Sequence, residues 1–338
     1  FTILYLLLFT CITSFAMQSY LTKPTVAVFV PQDFQPEQHL PSPMFIRELV
    51  PMGNLPAEWR IKPEYSKTDS TVICRFNVGA DVDIYGTGEV YGTLRRNGET
   101  EGFWNRDNGG YDHENGKRLY QTHPWVLGVR ADGSAFGILA DNTWKSKLTT
   151  DNIVTFESYG PAFRTVVIEG KDPLDVLKQL TELIGTMPLP PLWSLGYQQC
   201  RFSYFPEARV REVADEFRNR QIPCDVIWMD IHYMNEYRIF TFHPEGFPNP
   251  KETNDYLHSK GFKSVYMIDP APKAEKGYFV DDQLMENGYY VRTANGEPFV
   301  GNVWPGACHF PDFTRPEVRT WWSGLYKDFM AQGVDGVW

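Results

Sequence analysis

Apolar residues alternate with polar ones in short segments over the first half of the chain and gather into continuous runs over the second. Between residues 24 and 170 the short segments are separated by Gly, Pro, Asn and Asp. Residues 71–78, 125–129, 135–140, 153–156 and 165–168 fit strands, and Asp132-Gly133 between two of them predicts a hairpin turn. This is the pattern of an all-β sandwich. At Asp172 the period changes. Leu174, Val176, Leu177, Leu180 and Leu183 recur at helical spacing up to about Ile184, with Asp172 as N-cap and Pro173 at the first helical position. Met187-Pro188-Leu189-Pro190-Pro191 follows as a stiff linker. The domain boundary falls there, giving a sandwich over residues 17–186 and a second domain over 187–338.

The second domain repeats strand, helix, strand. Residues 193–197 predict a strand. A helix with Pro206 near its start places Val210, Val213, Ala214 and Phe217 on one face. Cys224-Asp225-Val226-Ile227-Trp228-Met229 is nearly all apolar, as expected of a strand buried on both faces of a parallel sheet, and it ends at Asp230. A helix capped by Asn249 with Pro250 at its first position leads to a second such strand, Phe262 to Ile268, which ends at Asp269. A last helix opens near residues 314–316 and packs Val318, Trp321, Trp322, Leu325 and Phe329, before Val334-Asp335-Gly336-Val337-Trp338 begins another strand. Four strand–helix steps without any G-x-G-x-x-G fingerprint suggest half of a (β/α)8 barrel rather than a dinucleotide-binding sheet.

Composition narrows the function classes. The 338 residues carry a net charge of −10, which argues against nucleic acid as a partner. Hydrophobic content of 42% and charged content of 22% are those of a globular protein. The aromatic content of 15% is high; aromatic faces can line sugar sites, but large cores are the commoner use. Five scattered cysteines with no C-x-x-C pair, Cys11, Cys74, Cys200, Cys224 and Cys308, fit buried free thiols and imply neither a metal site nor a disulfide scaffold. Residues 2–16 (TILYLLLFTCITSFA) carry no charge and are short for a membrane-spanning helix, so no stable membrane span is expected. They match a secretory h-region with Ser14 and Ala16 at a cleavage site, which predicts a signal peptide over residues 1–16 and export to the periplasm or beyond. A buried N-terminal strand and a lipoprotein anchored at Cys11 are the alternatives; bulky Phe9 weakens the second. Without an initiator Met or a basic n-region, the chain is expected to be a piece of a longer one.

Chemistry on parallel sheets gathers at the carboxyl ends of the strands, where Asp230 and Asp269 stand. A carboxylate accepts two sugar hydroxyls at once and stabilises the positive charge of an oxocarbenium-like transition state. Asp230 taken alone could equally be a helix cap or a loop ion pair. His232 is expected to be a packed polar residue rather than a ligand. Phe202 and Trp304 could wall a sugar pocket, although composition favours core positions for both.

Several ordered motifs carry a resemblance: Pro191-Leu192-Trp193-Ser194-Leu195-Gly196-Tyr197, Cys200-Arg201-Phe202-Ser203-Tyr204, Trp228-Met229-Asp230-Ile231-His232-Tyr233-Met234, Val303-Trp304-Pro305-Gly306 and Phe310-Pro311-Asp312-Phe313-Thr314. Upstream stand Tyr85-Gly86-Thr87-Gly88-Glu89 and Trp104-Asn105-Arg106-Asp107. Together they resemble the α-glucosidases of glycoside hydrolase family 31. The resemblance implies a galactose-mutarotase-like β-sandwich followed by a (β/α)8 TIM barrel, truncated here after about four strands. It implies a retaining glycosidase that releases terminal glucose from maltose-like α-glucoside oligosaccharides without metal or cofactor. Asp230 and Asp269 would bind the glucose, with Ile231, Met267 and Trp304 around it, Phe202 where relatives often carry Trp, and Asp107 on the next sugar. Trp338 matches the Trp of the family's W-x-D-M-N-E block. The nucleophilic Asp would therefore lie two positions beyond it and the acid/base Asp further on, so these 338 residues alone are expected to be inactive. An α-glucan lyase, an α-xylosidase (which tends to carry Phe-Trp at His232-Tyr233) and a non-catalytic carbohydrate binder on a degenerate barrel are the alternatives.

Overall fold

The computed structural model describes residues 13–14, 16–38, 45–111 and 117–338. The predicted leader therefore lies almost wholly outside the described residues, as does Cys11. The chain divides into two compact units at Met187/Pro188.

Among the described residues the first unit is a sandwich of twelve strands: β1 (Thr13–Ser14), β2 (Met17–Lys23), β3 (Val26–Pro31), β4 (Pro63–Lys67), β5 (Val72–Asn77), β6 (Val82–Gly88), β7 (Glu99–Phe103), β8 (Thr122–Arg130), β9 (Ala135–Ala140), β10 (Ser146–Thr150), β11 (Ile153–Ser158) and β12 (Thr165–Gly170). They form two six-stranded antiparallel sheets, ordered β1-β4-β5-β11-β10-β7 and β2-β3-β12-β9-β8-β6. The hairpin between β8 and β9 turns at Gly133, whose φ of 83° is the left-handed conformation that glycine adopts without penalty. Inward-facing Phe29, Phe76, Phe136, Ile138, Leu148, Phe156 and Val167 fill the space between the sheets.

Helix α1 (Pro173–Ile184) begins at an Asp172 cap, whose Oδ1 accepts the Asp175 amide at 2.8 Å. It covers the outer face of the second sheet with Val176, Leu180 and Leu183, packed on Val26, Val28, Leu139, Val166 and Ile168. Strand β9 is consequently buried on both faces. Two of the five apolar positions expected on the buried face are not on it: Leu174 and Leu177 are exposed, because only the i, i+4, i+7 row faces the sheet.

In the second unit four short strands, β13 (Gln198–Gln199), β14 (Val226–Met229), β15 (Lys263–Tyr266) and β18 (Gly336–Val337), pair in parallel and in chain order. Helices α2 (Glu207–Asn219), α3 (Pro250–Ser259) and α5 (Pro316–Met330) make the crossovers. Val210 and Ala214 of α2, Leu257 of α3 and Trp322 and Phe329 of α5 pack with Ile227, Met229 and Tyr266 of the strands. This is the architecture of the first steps of a (β/α)8 barrel.

Three expectations change. Residues 193–197 are not a strand: Leu192–Leu195 form a 3₁₀ turn in which the amide and hydroxyl of Ser194 both donate to the Pro191 carbonyl, at 3.0 and 2.8 Å. Between β15 and α5 lie an unanticipated helix, α4 (Phe279–Glu286), and a hairpin of β16 (Val300–Val303) and β17 (Gly306–His309). Finally, Cys74, Cys224 and Cys308 are buried free thiols, but Cys200 is exposed at the end of β13.

Below the sheet, at the start of β18, Asp335 ties three partners together. Its Oδ1 accepts the Lys263 ammonium at 2.8 Å, and its Oδ2 accepts the Ser264 amide at 2.9 Å and meets His258 Nε2 at 2.6 Å. Burial pushes this carboxyl up, but Lys263, the Ser264 amide and His258 outweigh it and hold its pKa below the usual value. An acid with a depressed folded pKa contributes stability above its unfolded pKa of about 4, and that contribution is lost as pH falls through the folded value. Asp335→Ala should therefore lower stability by about 2 kcal/mol at pH 7. Thermal melts of both proteins should converge as the pH drops below about 4; an unchanged melting temperature at pH 7 would assign Asp335 no such role.

Candidate active site

The parallel ladder continues past the strand ends and places the candidate residues side by side. The Met267 amide donates to the Met229 carbonyl at 3.0 Å, the Trp338 amide to Tyr266 at 2.9 Å, and the Ile268 amide to Trp338 at 2.7 Å. The residues that follow β14, β15 and β18 are therefore neighbours at one edge of the sheet. Tyr233 reinforces this from below: its buried hydroxyl donates to the Met267 carbonyl at 2.7 Å.

Asp230 leaves β14 in an extended conformation and caps the one-turn 3₁₀ helix Ile231–Tyr233, with its Oδ1 accepting the Ile231 amide at 2.7 Å. The helix-cap reading is thus correct for one oxygen, and the cap fixes the carboxylate's orientation. Asp269 follows Ile268, and its Oδ2 accepts the indole N–H of Trp304 at 3.1 Å. Burial raises the Asp269 pKa; the Trp304 bond lowers it, and the negative charge of Asp230 raises it further. Two carboxylates at adjacent strand ends offer several acceptor positions to a ligand rich in hydroxyls.

Trp304 stands at the turn of the β16–β17 hairpin, and this hairpin is fastened at its base. Ala274 and His309 donate backbone bonds to Ala307 and Pro272 at 2.9 and 3.0 Å, which lays β17 along the segment that follows Asp269. His309 Nδ1 lies 2.6 Å from Asp281 of α4, and the other Asp281 oxygen accepts the Glu275 amide at 2.9 Å. Arg238 reaches from the loop after β14 to grip Glu275 through two bonds, of 3.0 and 2.6 Å. Arg238 and Lys273 hold the Glu275 carboxyl down to about 2. The sequence pattern singled out none of these anchoring residues. Ion pairs between distant segments leave no periodic trace.

Phe202 and Trp304 are not core residues. They are 64% and 63% exposed. The ring of Phe202 meets His232 edge-on at 4.9 Å, and His232 lies 5.8 Å from Tyr237. His232 is thus packed between aromatic rings, as expected. Trp338 is also exposed, with its ring 5.8 Å from Trp228, whose indole N–H donates to Gln198 at 3.0 Å. Partial burial, then the nearby Asp230 charge, raise the Cys200 thiol pKa, which places the end of β13 beside the same carboxylate. Ile231 and Met267 are buried and form packing beneath these groups. The second unit therefore brings together Phe202, Asp230, Ile231, Met267, Asp269, Trp304 and Trp338. Asp107 belongs to the first unit, on the loop after β7, where it accepts the Tyr120 hydroxyl at 2.7 Å. Among the described residues no cluster of three or more His, Cys, Asp or Glu could hold a metal ion. No helix among them is long and apolar enough to cross a membrane.

Comparison with known proteins agrees with this architecture. The family model for the glycosyl hydrolases family 31 TIM-barrel domain matches residues 187–338, and that for the glycosyl hydrolase 31 N-terminal galactose mutarotase-like domain matches residues 22–148. The chain is similar to alpha-glucosidase 2 of Bacillus thermoamyloliquefaciens, 41% identical over 270 residues, which are 79% of this chain and 34% of that protein. It is similar to the crystal structure of a family 31 alpha-glucosidase from Bacteroides thetaiotaomicron, with 56% identity, a TM-score of 0.71, and 77% of this chain and 45% of that one covered. A Flavobacterium johnsoniae GH31 dextranase complexed with glucose shares the fold, with a TM-score of 0.80 at 23% identity over 97% of this chain and 47% of that one. The chain spans about a third of the length of the curated relatives it matches. With both of its domains matched by models of one family, and in their expected order, the chain belongs to glycosyl hydrolase family 31.

Proposed function

We propose that the protein carrying this chain is a retaining α-glucosidase that removes terminal glucose from maltose-like oligosaccharides. The observation that supports this most directly is the pair of carboxylates, Asp230 and Asp269, at adjacent parallel strand ends, with the exposed Trp304 indole bonded to one of them. In this reading the two acids accept the hydroxyls of the departing glucose and tighten on them as positive charge develops on its ring. Phe202, Trp304 and Trp338 face the apolar C–H surfaces of the sugar, and Ile231 and Met267 support the floor. Retaining hydrolysis further needs a nucleophile and an acid/base about 5–5.5 Å apart; Asp230 and Asp269 are assigned to binding and to neither of those roles. His232-Tyr233 favours a glucosidase over a xylosidase.

Neutralising either acid should remove transition-state binding. In the whole protein, Asp230→Asn and Asp269→Asn should each lower kcat/KM by about 2–4 kcal/mol, read with p-nitrophenyl α-glucoside. Stability should move the other way for Asp269. Its raised folded pKa means that its contribution to folding is fully present below the unfolded value of about 4 and is lost as pH rises through the folded value. At pH 7 the ionised carboxylate therefore costs stability, so Asp269→Asn should melt above the parent there, and the gap should close toward pH 4. A variant that melts lower at pH 7 with normal kinetics would make Asp269 a structural residue.

Asp107 is assigned to the sugar on the leaving side. Asp107→Ala should weaken binding of maltose-like substrates by about 1–3 kcal/mol, the scale of a lost charge-assisted hydrogen bond, and leave an aryl glucoside nearly unaffected. Equal losses on both substrates would remove that assignment.

The uncharged stretch over residues 2–16, with Ser14 and Ala16, supports export. N-terminal sequencing of the mature protein should then begin at Met17, and an intact stretch in a cytoplasmic fraction would refute it.

A further inference from the structure

The sandwich unit carries a cleft to whose lining residues the proposed function assigns no role. It has a volume of about 290 Å³ and is lined by Trp104, Trp144, Asn105, Asn142, Thr122 and Thr143, among other residues of which none is charged. Its place follows from the strand register. Phe103 at the end of β7 pairs with Ser146 at the start of β10, so Trp104 and Trp144 lie just beyond the same end of the same strand pair. Neighbouring strands lie about 5 Å apart, which sets the two tryptophans on adjacent segments. Thr122 enters from the start of β8 in the opposite sheet.

The two indoles are 57% and 49% exposed, and the second is held in position. A Cβ at Gly160 would lie 2.3 Å from Cγ of Trp144, so the Trp144 side chain packs against a backbone that only glycine leaves clear. The Trp144 amide also donates to Asn142 Oδ1 at 3.1 Å. Asn142 is 94% buried, and among the described residues its Nδ2 has no partner. Asn105 is pinned by its own Nδ2, which donates to the Tyr120 carbonyl at 2.8 Å and leaves its Oδ1 as an acceptor. The cleft therefore presents two exposed indoles, one of them held in place, with amide donors, an amide acceptor and no charge.

We propose that this cleft is a carbohydrate-binding site on the sandwich unit, taking a neutral oligosaccharide whose rings lie on Trp104 and Trp144. Each part of the lining answers a part of such a ligand. Indole faces match the apolar C–H faces of pyranose rings. Hydroxyls both donate and accept, as the Asn142 and Asn105 amides require. A phosphorylated or peptide ligand would leave its charges without partners here, at the cost of their desolvation. Such a site would hold a glucan chain on the protein between turnovers and raise its local concentration.

The test uses the whole protein with Asp230→Asn and Asp269→Asn in place, so that a chain is neither hydrolysed nor held firmly at the barrel. Maltoheptaose binding is measured by titration calorimetry. Trp144→Ala and Trp104→Ala should each raise the Kd about five-fold or more, and Trp144→Phe should stay within about two-fold of the parent. Gly160→Ala, which pushes the Trp144 indole aside without removing it, should weaken binding as Trp144→Ala does. Binding by both Ala variants at the parent's Kd, or no binding by the parent, overturns the proposal. So does loss of binding in a Trp144→Phe variant that melts at the parent's temperature. Turnover of p-nitrophenyl α-glucoside by the otherwise unaltered Trp144→Ala protein should match that of the wild type. Failure of the wild type itself to turn over that substrate would count against the glucosidase reading and leave the calorimetric result standing.

Discussion

The continuation of the parallel ladder beyond β14, β15 and β18 is the constraint on which the candidate site rests. Backbone bonds from Met267 to Met229 and from Ile268 to Trp338 hold the three chain segments in register past the last strand residue. Side chains that leave these segments cannot drift apart without breaking bonds buried at the end of a close-packed core. That is why Asp269 feels the charge of Asp230, an acid 39 positions earlier in the sequence. Everything else at the site is arranged around this edge: the one-turn helix that Asp230 caps, the hairpin that lays Trp304 on Asp269, and the ion pairs that fasten that hairpin. The loops can vary while the ladder keeps their origins fixed.

The barrel steps and the sandwich were legible because both rest on burial. The run from Val226 to Met229 is apolar because both of its faces are covered, and β9 is apolar throughout because α1 covers the side that the sandwich core does not. The start of α1 was legible because Asp172-Pro173 is local chemistry, a side-chain cap followed by a residue without an amide N–H. The β16–β17 hairpin was not legible: the residues of β16, Gly301 and Asn302 among them, are exposed or half-buried in turn, Cys308 is the one buried residue of β17, and together they carry no apolar period to read. Helix α4 is short and offers only Val280, Asp281 and Leu284 to the interior. Residues 193–197 misled in the opposite sense, since an apolar run just after two prolines makes a 3₁₀ turn whose Leu192 and Leu195 stay exposed.

The candidate site was legible in part for a related reason. Strand ends can be located from the run that precedes them, so Asp230 and Asp269 stood out. Whether an aromatic residue is wall or core depends on what covers it, and composition carries no information about that. Phe202 and Trp304 therefore looked like core residues and are exposed. His309, Asp281, Arg238 and Glu275 hold the site's loops through pairings between segments tens of residues apart, and such pairings exist only once the chain is folded.

The two ends of the same parallel sheet show how partners, rather than residue type, decide what an aspartate does. Asp335, at the start of β18, is partly buried but receives an ammonium, an amide and an imidazole, and its carboxyl is held below the ordinary value. Asp269, at the far end of β15, is partly buried with one indole donor and a like charge nearby, and its carboxyl is raised. The first arrangement stabilises the fold at neutral pH, and the second opposes it by the same linkage. A carboxyl that costs stability where a saturated one would add it marks a candidate functional position. The unmet acceptor capacity of Asp269 is complementary to a ligand that brings its own donors, and sugar hydroxyls do that without adding charge. The sandwich cleft follows the same logic with neutral groups: its exposed indoles and the Asn142 Nδ2, which has no partner among the described residues, are matched by an oligosaccharide.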